Sequence, residues 1–222
     1  MIQPTYQLLK ISQTPEAVSE TAPRCGLVID DQTSAAQIEQ FLGRIGEFAA
    51  TSPTVQLVRL SMDISEPDLL ETDARLSLIR QIQPPICEVQ LASSSSHDKP
   101  DAARGDPRAV AICTAMLSLL DDSIDCLAIK PESGTWLRTL EHAVRLMMRV
   151  NRSRAGLTFS LPDWQAQQAG DMENALALVG PRLFNVWLGS KENQQSTEAA
   201  LLERHLRLQG YAGPVGVSCP SV

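Results

Sequence analysis

Eight short apolar segments, spread along the chain and separated by helical patterns, constrain the fold of this sequence more than any other feature. They are rich in β-branched residues, as buried strands are, and they cover residues 6–12, 25–30, 55–62, 86–92, 126–131, 155–160, 183–189 and 214–219. Their average spacing is about 27 residues, the length of one strand–helix repeat. Repeats of this kind give parallel sheets, because a helix carries the chain back to the start of the next strand.

The segments between the strands have the periodicity of amphipathic helices. One helix follows Ser34, which forms a capping-box pattern with Gln37. Further helices are predicted at about 67–82, 107–120, 135–151, 171–179 and 196–209. Eight strands that alternate with helices predict a single-domain α/β protein over residues 1–222, a (β/α)8 TIM barrel. The first strand has the weakest pattern, so we expect irregularity at the N-terminus.

One polar segment, ASSSSHDKPDAARGDP at 92–107, interrupts the alternation. It is rich in serine, aspartate and proline and follows the fourth predicted strand, so it is predicted to be a long flexible loop. Such a loop could cover the mouth of the barrel or have no role, and we favour the second interpretation.

Charge and hydropathy exclude several classes of function. The 222 residues carry a net charge of −7, which argues against nucleic acid binding, because phosphate contacts need clustered lysine and arginine. No apolar stretch reaches the roughly 20 residues that span a bilayer, and the N-terminal sequence lacks a signal-peptide pattern. We therefore expect a cytoplasmic protein without membrane contact, and the sequence specifies no oligomeric state. The scattered cysteines are interpreted as buried, reduced thiols: Cys25, Cys87, Cys113, Cys126 and Cys219.

Polar residues alternate with apolar ones towards the carboxyl ends of the predicted strands. If the apolar faces pack on the helices, the side chains inside the barrel are Arg59, Ser61, Glu88, Gln90, Lys130, Thr158, Ser160, Asn185, Trp187 and Ser218. One interpretation is a ligand-binding mouth, because such barrels carry their active sites at this end. The other is an ion-pair network that fills the barrel, in which Glu88 pairs with Arg59 or Lys130, since buried charge needs a partner.

The sequence lacks the common short motifs of nucleotide-binding proteins and zinc proteases. The sequence contains no P-loop, no GxGxxG and no HExxH. Gly189, Ser190 and Lys191 follow the seventh strand, where barrels often bind phosphate, but a plain turn is the favoured interpretation. His142 and His205 fall within helices and are predicted to lie on the surface.

The segments LAIKPESGTWLRTLEHAVRLMMRVNRSRAGLTFSLPDW, GPRLFNVWLG and LLERHLRLQGYAGPVGVSC carry a resemblance to a known family. From about Cys126 to its C-terminus, the chain resembles the sugar phosphate isomerase/epimerase family, the xylose isomerase-like TIM barrels. The N-terminal half matches only in its strand–helix rhythm. The resemblance implies a divalent metal (Mn, Mg, Co or Zn) held by Glu, Asp and His at the ends of the later strands. It also implies isomerisation or epimerisation of a small sugar or polyol.

Carried over residue by residue, the resemblance places other residue types at most metal-ligand positions. Those positions fall on Lys130, Glu132, Ser160, Asp163, Trp187 and Ser218. Only Glu132 and Asp163 offer the carboxylate oxygens of a metal ligand, and a lysine beside them repels a cation.

Two functions therefore stay open. The first is a sugar phosphate isomerase/epimerase-like enzyme with the candidate catalytic residues Glu88, Lys130, Glu132 and Asp163. In that function a small sugar-like ligand would contact Arg59, Gln90, Ser160, Asn185, Trp187 and Ser218. The second is a TIM barrel that has lost its metal site and acts as a binding or interaction protein.

Overall fold

The computed structural model describes residues 6–10, 24–29, 33–34, 36–41, 54–64, 74–92, 102–133, 135–167, 170–190 and 192–218. These residues contain the strands β1 Tyr6–Lys10, β2 Arg24–Ile29, β3 Thr54–Asp63, β4 Ile86–Ala92, β5 Cys126–Lys130, β6 Ala155–Ser160, β7 Leu183–Trp187 and β8 Val215–Ser218. Each strand begins and ends within two residues of a predicted apolar segment.

The strands form a closed barrel. Neighbouring strands are parallel and pair in chain order, and β8 pairs with β1 through Tyr6 and Gly216. The register shifts twice, between Cys25 and Gly26 in the β2–β3 pair and between Leu157 and Thr158 in the β6–β7 pair. The predicted (β/α)8 fold is confirmed.

Helices lie between the strands in the alternation that the sequence predicts. Residues 36–41 are helical (α1), and Ser34 and Gln37 make the predicted capping box in front of this helix, with Ser34 N donating to Gln37 Oε1 at 2.8 Å. The other helices are α2 Ala74–Ile82, α3 Ala102–Leu119, α4 Leu140–Val150, α5 Leu161–Ala166, α6 Met172–Val179 and α7 Thr197–Leu208. Short 3-10 turns cover Gly180–Arg182 and Glu192–Gln195.

The predicted loop at 92–107 is wrong at its C-terminal end. Residues 93–101 lie outside the described part of the chain, but α3 already begins at Ala102. Gly105 packs so closely on Trp136 that a Cβ atom would meet the indole ring at 2.5 Å. Asp106 is held by Arg149, whose Nη1 lies 2.6 Å from its Oδ2. These tertiary contacts outweigh the low helix propensity of the segment.

Two further helix predictions needed correction. The helix predicted from residue 135 begins only at Leu140, because Thr139 caps it by accepting a hydrogen bond from His142 N. It ends at Val150, and the C-cap residue Asn151 has a φ of 47° and so adopts the left-handed conformation common after helix ends. The short helix α5 was not predicted, since its six residues are too few to show a period.

The core has two parts, one outside the barrel wall and one inside it. Outward side chains of the strands pack with the helices in the larger cluster, and a smaller cluster contains Tyr6, Leu8, Leu57, Ile86, Ala128 and Trp187. Gly216 gives the Tyr6 ring its space, because a Cβ atom there would lie 2.3 Å from the ring. Apolar packing thus fills one part of the barrel interior, and the polar side chains occupy the rest.

The four described cysteines are free thiols, as predicted. Cys25, Cys87 and Cys113 are buried, and Cys126 is partly buried; Cys219 lies outside the described residues. Burial raises the pKa of Cys25 to about 11 and that of Cys113 to about 12, so these thiols stay protonated at neutral pH. Among the described residues, no helix has the length and apolar character needed to cross a bilayer.

Candidate ligand site at the barrel mouth

Two polar clusters lie at successive levels along the strands. Arg59 and Glu88 face each other in the strand register, and Gln90 and Lys130 face each other two residues further towards the carboxyl ends. We call the deeper group the interior cluster and define it as Tyr6, Arg59, Glu88, Thr158 and Asn185. The group at the strand ends is the mouth cluster and consists of Lys130, Glu132, Ser133, Ser160 and Asp163.

The interior cluster is organised around the fully buried carboxylate of Glu88. Arg59 Nε forms an ion pair with Glu88 Oε1. On Oε2, Glu88 accepts hydrogen bonds from Thr158 Oγ1 at 2.6 Å and Asn185 Nδ2 at 2.8 Å. The Tyr6 hydroxyl donates to Asn185 Oδ1 at 3.0 Å and so extends the network to β1. Both oxygens of Glu88 are therefore satisfied by side chains from three other strands, β3, β6 and β7.

This environment keeps Glu88 ionised. Burial alone raises the pKa of a carboxyl group, but the nearby charges of Arg59 and Lys130 and the hydrogen bond from Thr158 hold the pKa of Glu88 below its usual value. A carboxylate bound in this way stabilises the barrel rather than taking up protons near neutral pH.

Arg59 links the interior cluster to the mouth. Its guanidinium carbon lies 4.8 Å from the ring centroid of Trp187, a cation–π contact that joins β3 to β7. Its Nη2 is buried and has no hydrogen-bond partner among the described residues. Trp187 faces inward beside Ser160 in the strand register, so the Arg59–Trp187 contact connects the two levels.

The mouth cluster is organised around Asp163, which lies in the first turn of α5 directly after β6. Asp163 Oδ1 accepts hydrogen bonds from Ser133 N at 2.9 Å and Ser133 Oγ at 3.2 Å. Asp163 Oδ2 lies 3.2 Å from Lys130 Nζ and also accepts a hydrogen bond from the Ser160 hydroxyl. Burial alone raises the pKa of Asp163, but Lys130 and the hydrogen bonds from Ser160 and Ser133 hold this pKa below its usual value.

Lys130 lies between two carboxylates at the end of β5. Its Nζ is 3.2 Å from Asp163 Oδ2 and 3.7 Å from Glu132 Oε1. The side chains differ in exposure, with Lys130 at 3%, Asp163 at 14% and Glu132 at 38%. The loop after β5 positions Glu132, since Glu132 N donates to the Leu137 carbonyl at 2.9 Å and Thr135 N donates to the Glu132 carbonyl at 3.2 Å. The cluster is a buried ammonium with one accessible carboxylate beside it.

The sequence-predicted site residues lie in the interior cluster, in the mouth cluster, or beside the mouth cluster at the ends of the strands. Glu88 pairs with Arg59, one of its two predicted partners, whereas Lys130 pairs with Asp163 and Glu132. Thr158 and Asn185 belong to the interior cluster, and Gln90 and Ser61 lie half-buried towards the ends of β4 and β3. Ser218 lies in β8, but its side chain is outside the described part of the structure. The functional roles of these residues stay predictions.

Sequence reasoning missed two members of the clusters, Ser133 and Tyr6. Ser133 lies in a loop, so no strand alternation could identify it, and its contact with Asp163 joins residues 30 positions apart. Tyr6 belongs to the first strand, whose weak pattern hid its inward direction. In the Gly189–Ser190 pair, Gly189 has a φ of +79°, a left-handed conformation that favours glycine; Lys191 lies outside the described residues, and the predicted turn stays a prediction.

The prediction that His142 lies on the surface is wrong. Its side chain is only 12% exposed, and its Nε2 lies 2.7 Å from Asp106 Oδ1. Trp136 packs against the imidazole ring in an edge arrangement, with 4.7 Å between the ring centroids. This contact joins α4 to the start of α3, and the 36 positions between His142 and Asp106 left no local signal in the sequence.

A divalent metal does not fit the described residues of the mouth. The described residues contain no group of three or more His, Cys, Asp or Glu side chains that could hold a metal ion. A carboxylate has about four lone-pair positions that can accept hydrogen bonds. Asp163 accepts four, from Ser133 N, Ser133 Oγ, Ser160 Oγ and Lys130 Nζ. The Lys130 ammonium would also repel a cation placed between Asp163 and Glu132.

Comparison with solved structures identifies the fold. The chain is similar to D-psicose 3-epimerase, solved in the presence of D-fructose, with a TM-score of 0.75 and 13% identity over 99% of this chain and 86% of that one. It is similar to a xylose isomerase domain protein from Planctomyces limnophilus, with a TM-score of 0.69 and 12% identity over 98% of this chain and 89% of that one. The chain therefore has the xylose isomerase-like TIM-barrel fold.

Some proteins with this fold bind metal. One of them, the IOLI protein solved with a zinc atom, matches with a TM-score of 0.60 and 13% identity over 87% of this chain and 78% of that one. No protein-family model matches the sequence, and no curated protein matches it. The similarity is thus one of fold.

Proposed function

We propose that this chain binds a small sugar or polyol at the mouth of its barrel and that the mouth cluster contacts the ligand. The observation that carries the proposal is the position of Lys130, Glu132 and Asp163 at the carboxyl ends of β5 and β6, the end of the barrel that carries active sites in this fold. Similarity in fold to a sugar epimerase supports a sugar-like ligand.

The residues of the mouth have the chemistry to bind hydroxyl and carbonyl groups. The Lys130 ammonium has three N–H donors, and only Asp163 lies within hydrogen-bond distance of it among the described residues. Glu132 is the most accessible carboxylate of the cluster and can accept from a ligand hydroxyl. Gln90 is half-buried at the end of β4 and adds an amide that can both donate and accept.

Isomerisation or epimerisation of the bound sugar is the reaction that we propose first. It requires a base that removes a proton next to a carbonyl group and a positive charge that stabilises the resulting oxyanion. Glu132 is the candidate base, because it is accessible and lies 3.7 Å from the Lys130 ammonium, which is the candidate for the positive charge. In this proposal Glu88 and Asp163 act as positioning residues.

A binding protein without catalysis is the second candidate. The observation that favours it is the complete use of the Asp163 oxygens by Lys130, Ser133 and Ser160, which leaves Glu132 as the accessible carboxylate of the mouth cluster. Proton transfer between two faces of a sugar needs two groups, so a single carboxylate would support binding better than epimerisation.

Titration calorimetry with D-fructose and D-psicose tests the proposal. We expect the wild-type protein to bind at least one of the two sugars and Lys130→Met to bind it at least about tenfold more weakly, because a charged hydrogen bond is lost. Arg145→Met, which removes an exposed charge from α4, is the matched control and should bind as the wild type does. If neither sugar binds, or Lys130→Met binds as well as the control, the mouth is not the sugar site.

Proton NMR in D2O separates the two candidates. An isomerase or epimerase exchanges the proton next to the sugar carbonyl for deuterium, and Glu132→Gln should abolish that exchange while sugar binding persists. Binding without exchange in the wild-type protein would establish the second candidate.

A further inference from the structure

The mouth cluster contains its own positive charge at the place where a metal ion would need to bind. Lys130 Nζ lies 3.2 Å from Asp163 Oδ2 and 3.7 Å from Glu132 Oε1, so the ammonium occupies the space between the two carboxylates. Its side chain is almost completely buried. A divalent cation bound by the same two carboxylates would have to share this space with the ammonium.

We propose that the Lys130 ammonium is the resident cation of the mouth and that the site works without a divalent metal. The proposal deepens the proposed function, because it names the positive group that meets a ligand oxygen. The three charged members of the cluster sum to one negative charge, so the ammonium neutralises half of the carboxylate charge that would otherwise attract a metal ion.

The surroundings of Asp163 support this assignment independently of Lys130. Ser133 donates to Asp163 Oδ1 through both its backbone N–H and its hydroxyl, at 2.9 and 3.2 Å, and Ser160 donates to Oδ2. These donors fix the carboxylate towards Lys130 and satisfy it without a metal. A metal-binding carboxylate would need to keep a lone pair for the ion.

The interior cluster keeps the ammonium in the mouth. Glu88 is the acid that the sequence offered to Lys130 as a partner, but its oxygens are bound by Arg59, Thr158 and Asn185. Lys130 therefore pairs with the acids at the mouth rather than with Glu88. Because Arg59 satisfies Glu88, the positive charge of Lys130 remains available at the ligand site.

Substitution of the resident cation by a carboxylate provides the test. Protein is treated with EDTA and dialysed, and Mn2+ binding is measured by the electron paramagnetic resonance signal of the free ion. We expect no stoichiometric binding by the wild-type protein or by Arg145→Glu, which makes the same charge change on an exposed face of α4. Lys130→Glu adds a third carboxylate beside Asp163 and Glu132 and should bind Mn2+ at least about tenfold more tightly than the wild type.

Thermal unfolding shows whether each variant is folded and whether Mn2+ stabilises it. Mn2+ should raise the Tm of Lys130→Glu and leave the Tm of the wild type and of Lys130→Met unchanged, because a ligand of the folded state stabilises it. Stoichiometric Mn2+ binding by the wild type that is lost in Asp163→Asn would overturn the proposal. So would a folded Lys130→Glu protein that gains no Mn2+ affinity, since the ammonium would then not occupy a metal position.

Sugar binding by the same EDTA-treated protein separates this inference from the proposed function. If Lys130→Glu gains Mn2+ but the wild type binds no sugar, the resident cation stands and the sugar site fails. If the wild type binds sugar only when Mn2+ is added, the sugar site stands and the resident cation fails.

Discussion

The interior cluster and the mouth cluster each place a cation against a carboxylate inside the same barrel, but they differ in what surrounds the pair. Glu88 is fully buried and receives its hydrogen bonds from three different strands besides its own. The Glu132 side chain, by contrast, is 38% exposed, and its Oε1 lies 3.7 Å from Lys130 Nζ, beyond hydrogen-bond distance. The first arrangement fixes strands to one another, whereas the second leaves polar groups within reach of a ligand.

The comparison shows how one polar barrel can serve two purposes. A buried ion pair stabilises a fold only when its remaining hydrogen-bonding positions are satisfied, and the interior cluster meets that condition for Glu88. The mouth cluster leaves Glu132 and the donors of Lys130 incompletely used among the described residues. Substitutions in the interior cluster should therefore affect stability, and substitutions in the mouth cluster should affect ligand binding.

Glu88→Ala should have the largest effect on stability. It leaves the Arg59 guanidinium buried without its counter-charge and removes the acceptor of Thr158 and Asn185, which should lower the free energy of unfolding by about 3–5 kcal/mol. Urea denaturation measures the loss, and Glu132→Ala, at an exposed acid, should lose less than about 1 kcal/mol. Equal losses in the two variants would remove the distinction between the clusters.

The double variant Arg59→Met/Glu88→Leu sharpens this prediction. Apolar side chains of similar volume avoid the unpaired charge, so the double variant should recover most of the stability that Glu88→Ala loses. If the double variant is as unstable as Glu88→Ala, the Arg59–Glu88 pair itself stabilises the folded protein, and the loss in Glu88→Ala is not explained by the unpaired Arg59 charge alone.

Lys130→Met should have the next largest effect. The Asp163 and Glu132 carboxylates lose their counter-charge, but Asp163 keeps its hydrogen bonds from Ser133 and Ser160. We therefore expect a loss of about 1–2 kcal/mol in urea denaturation. The pKa of Asp163 should rise, which carbon-13 NMR of the carboxyl group can measure. An unchanged Asp163 pKa would contradict the ion pair.

The fold was easier to predict from the sequence than the clusters. Alternation in β4 correctly placed Glu88 and Gln90 inside the barrel, because a period of two is a local property of a strand. The partner of each charged group depends on which side chains meet inside the barrel, which no local pattern specifies. From the sequence, Arg59 and Lys130 were equally acceptable partners for Glu88. The contact of Ser133 with Asp163 depends on a loop, whose path no periodicity specifies.

Two hydroxyl residues of β6 provide a matched pair of substitutions, one in each cluster. Thr158 donates to Glu88 and Ser160 donates to Asp163. Thr158→Val should lower the free energy of unfolding by about 1–2 kcal/mol, because the buried Glu88 carboxylate loses a hydrogen-bond donor. It should leave sugar binding unchanged. Ser160→Ala should cost less than about 1 kcal/mol but weaken sugar binding. Urea denaturation measures the stability of both variants, and calorimetry measures their sugar binding. A Ser160→Ala protein that loses more stability than Thr158→Val, or a Thr158→Val protein that loses sugar binding, would contradict the different roles of the two clusters.

The acid dependence of stability should show the smallest difference between the clusters. Glu88 and Asp163 both have lowered pKa values in the folded state. A carboxyl group of this kind contributes stability above its unfolded pKa of about 4 and loses that contribution as the pH falls through the folded pKa. The wild-type protein should therefore lose stability below about pH 4, where the unfolded chain binds protons that the folded protein does not.

Asp163→Asn tests how much of this acid dependence belongs to the mouth. The variant has no carboxyl group to titrate at residue 163, so its free energy of unfolding should change less than that of the wild type between pH 5 and about pH 3. Glu88→Gln should flatten the curve in the same direction and should also lower stability at neutral pH, because Arg59 loses its counter-charge. Urea denaturation at several pH values measures both slopes. If Asp163→Asn keeps the wild-type slope, Asp163 is not ion-paired with Lys130 in solution, and the mouth cluster would be looser than its geometry indicates.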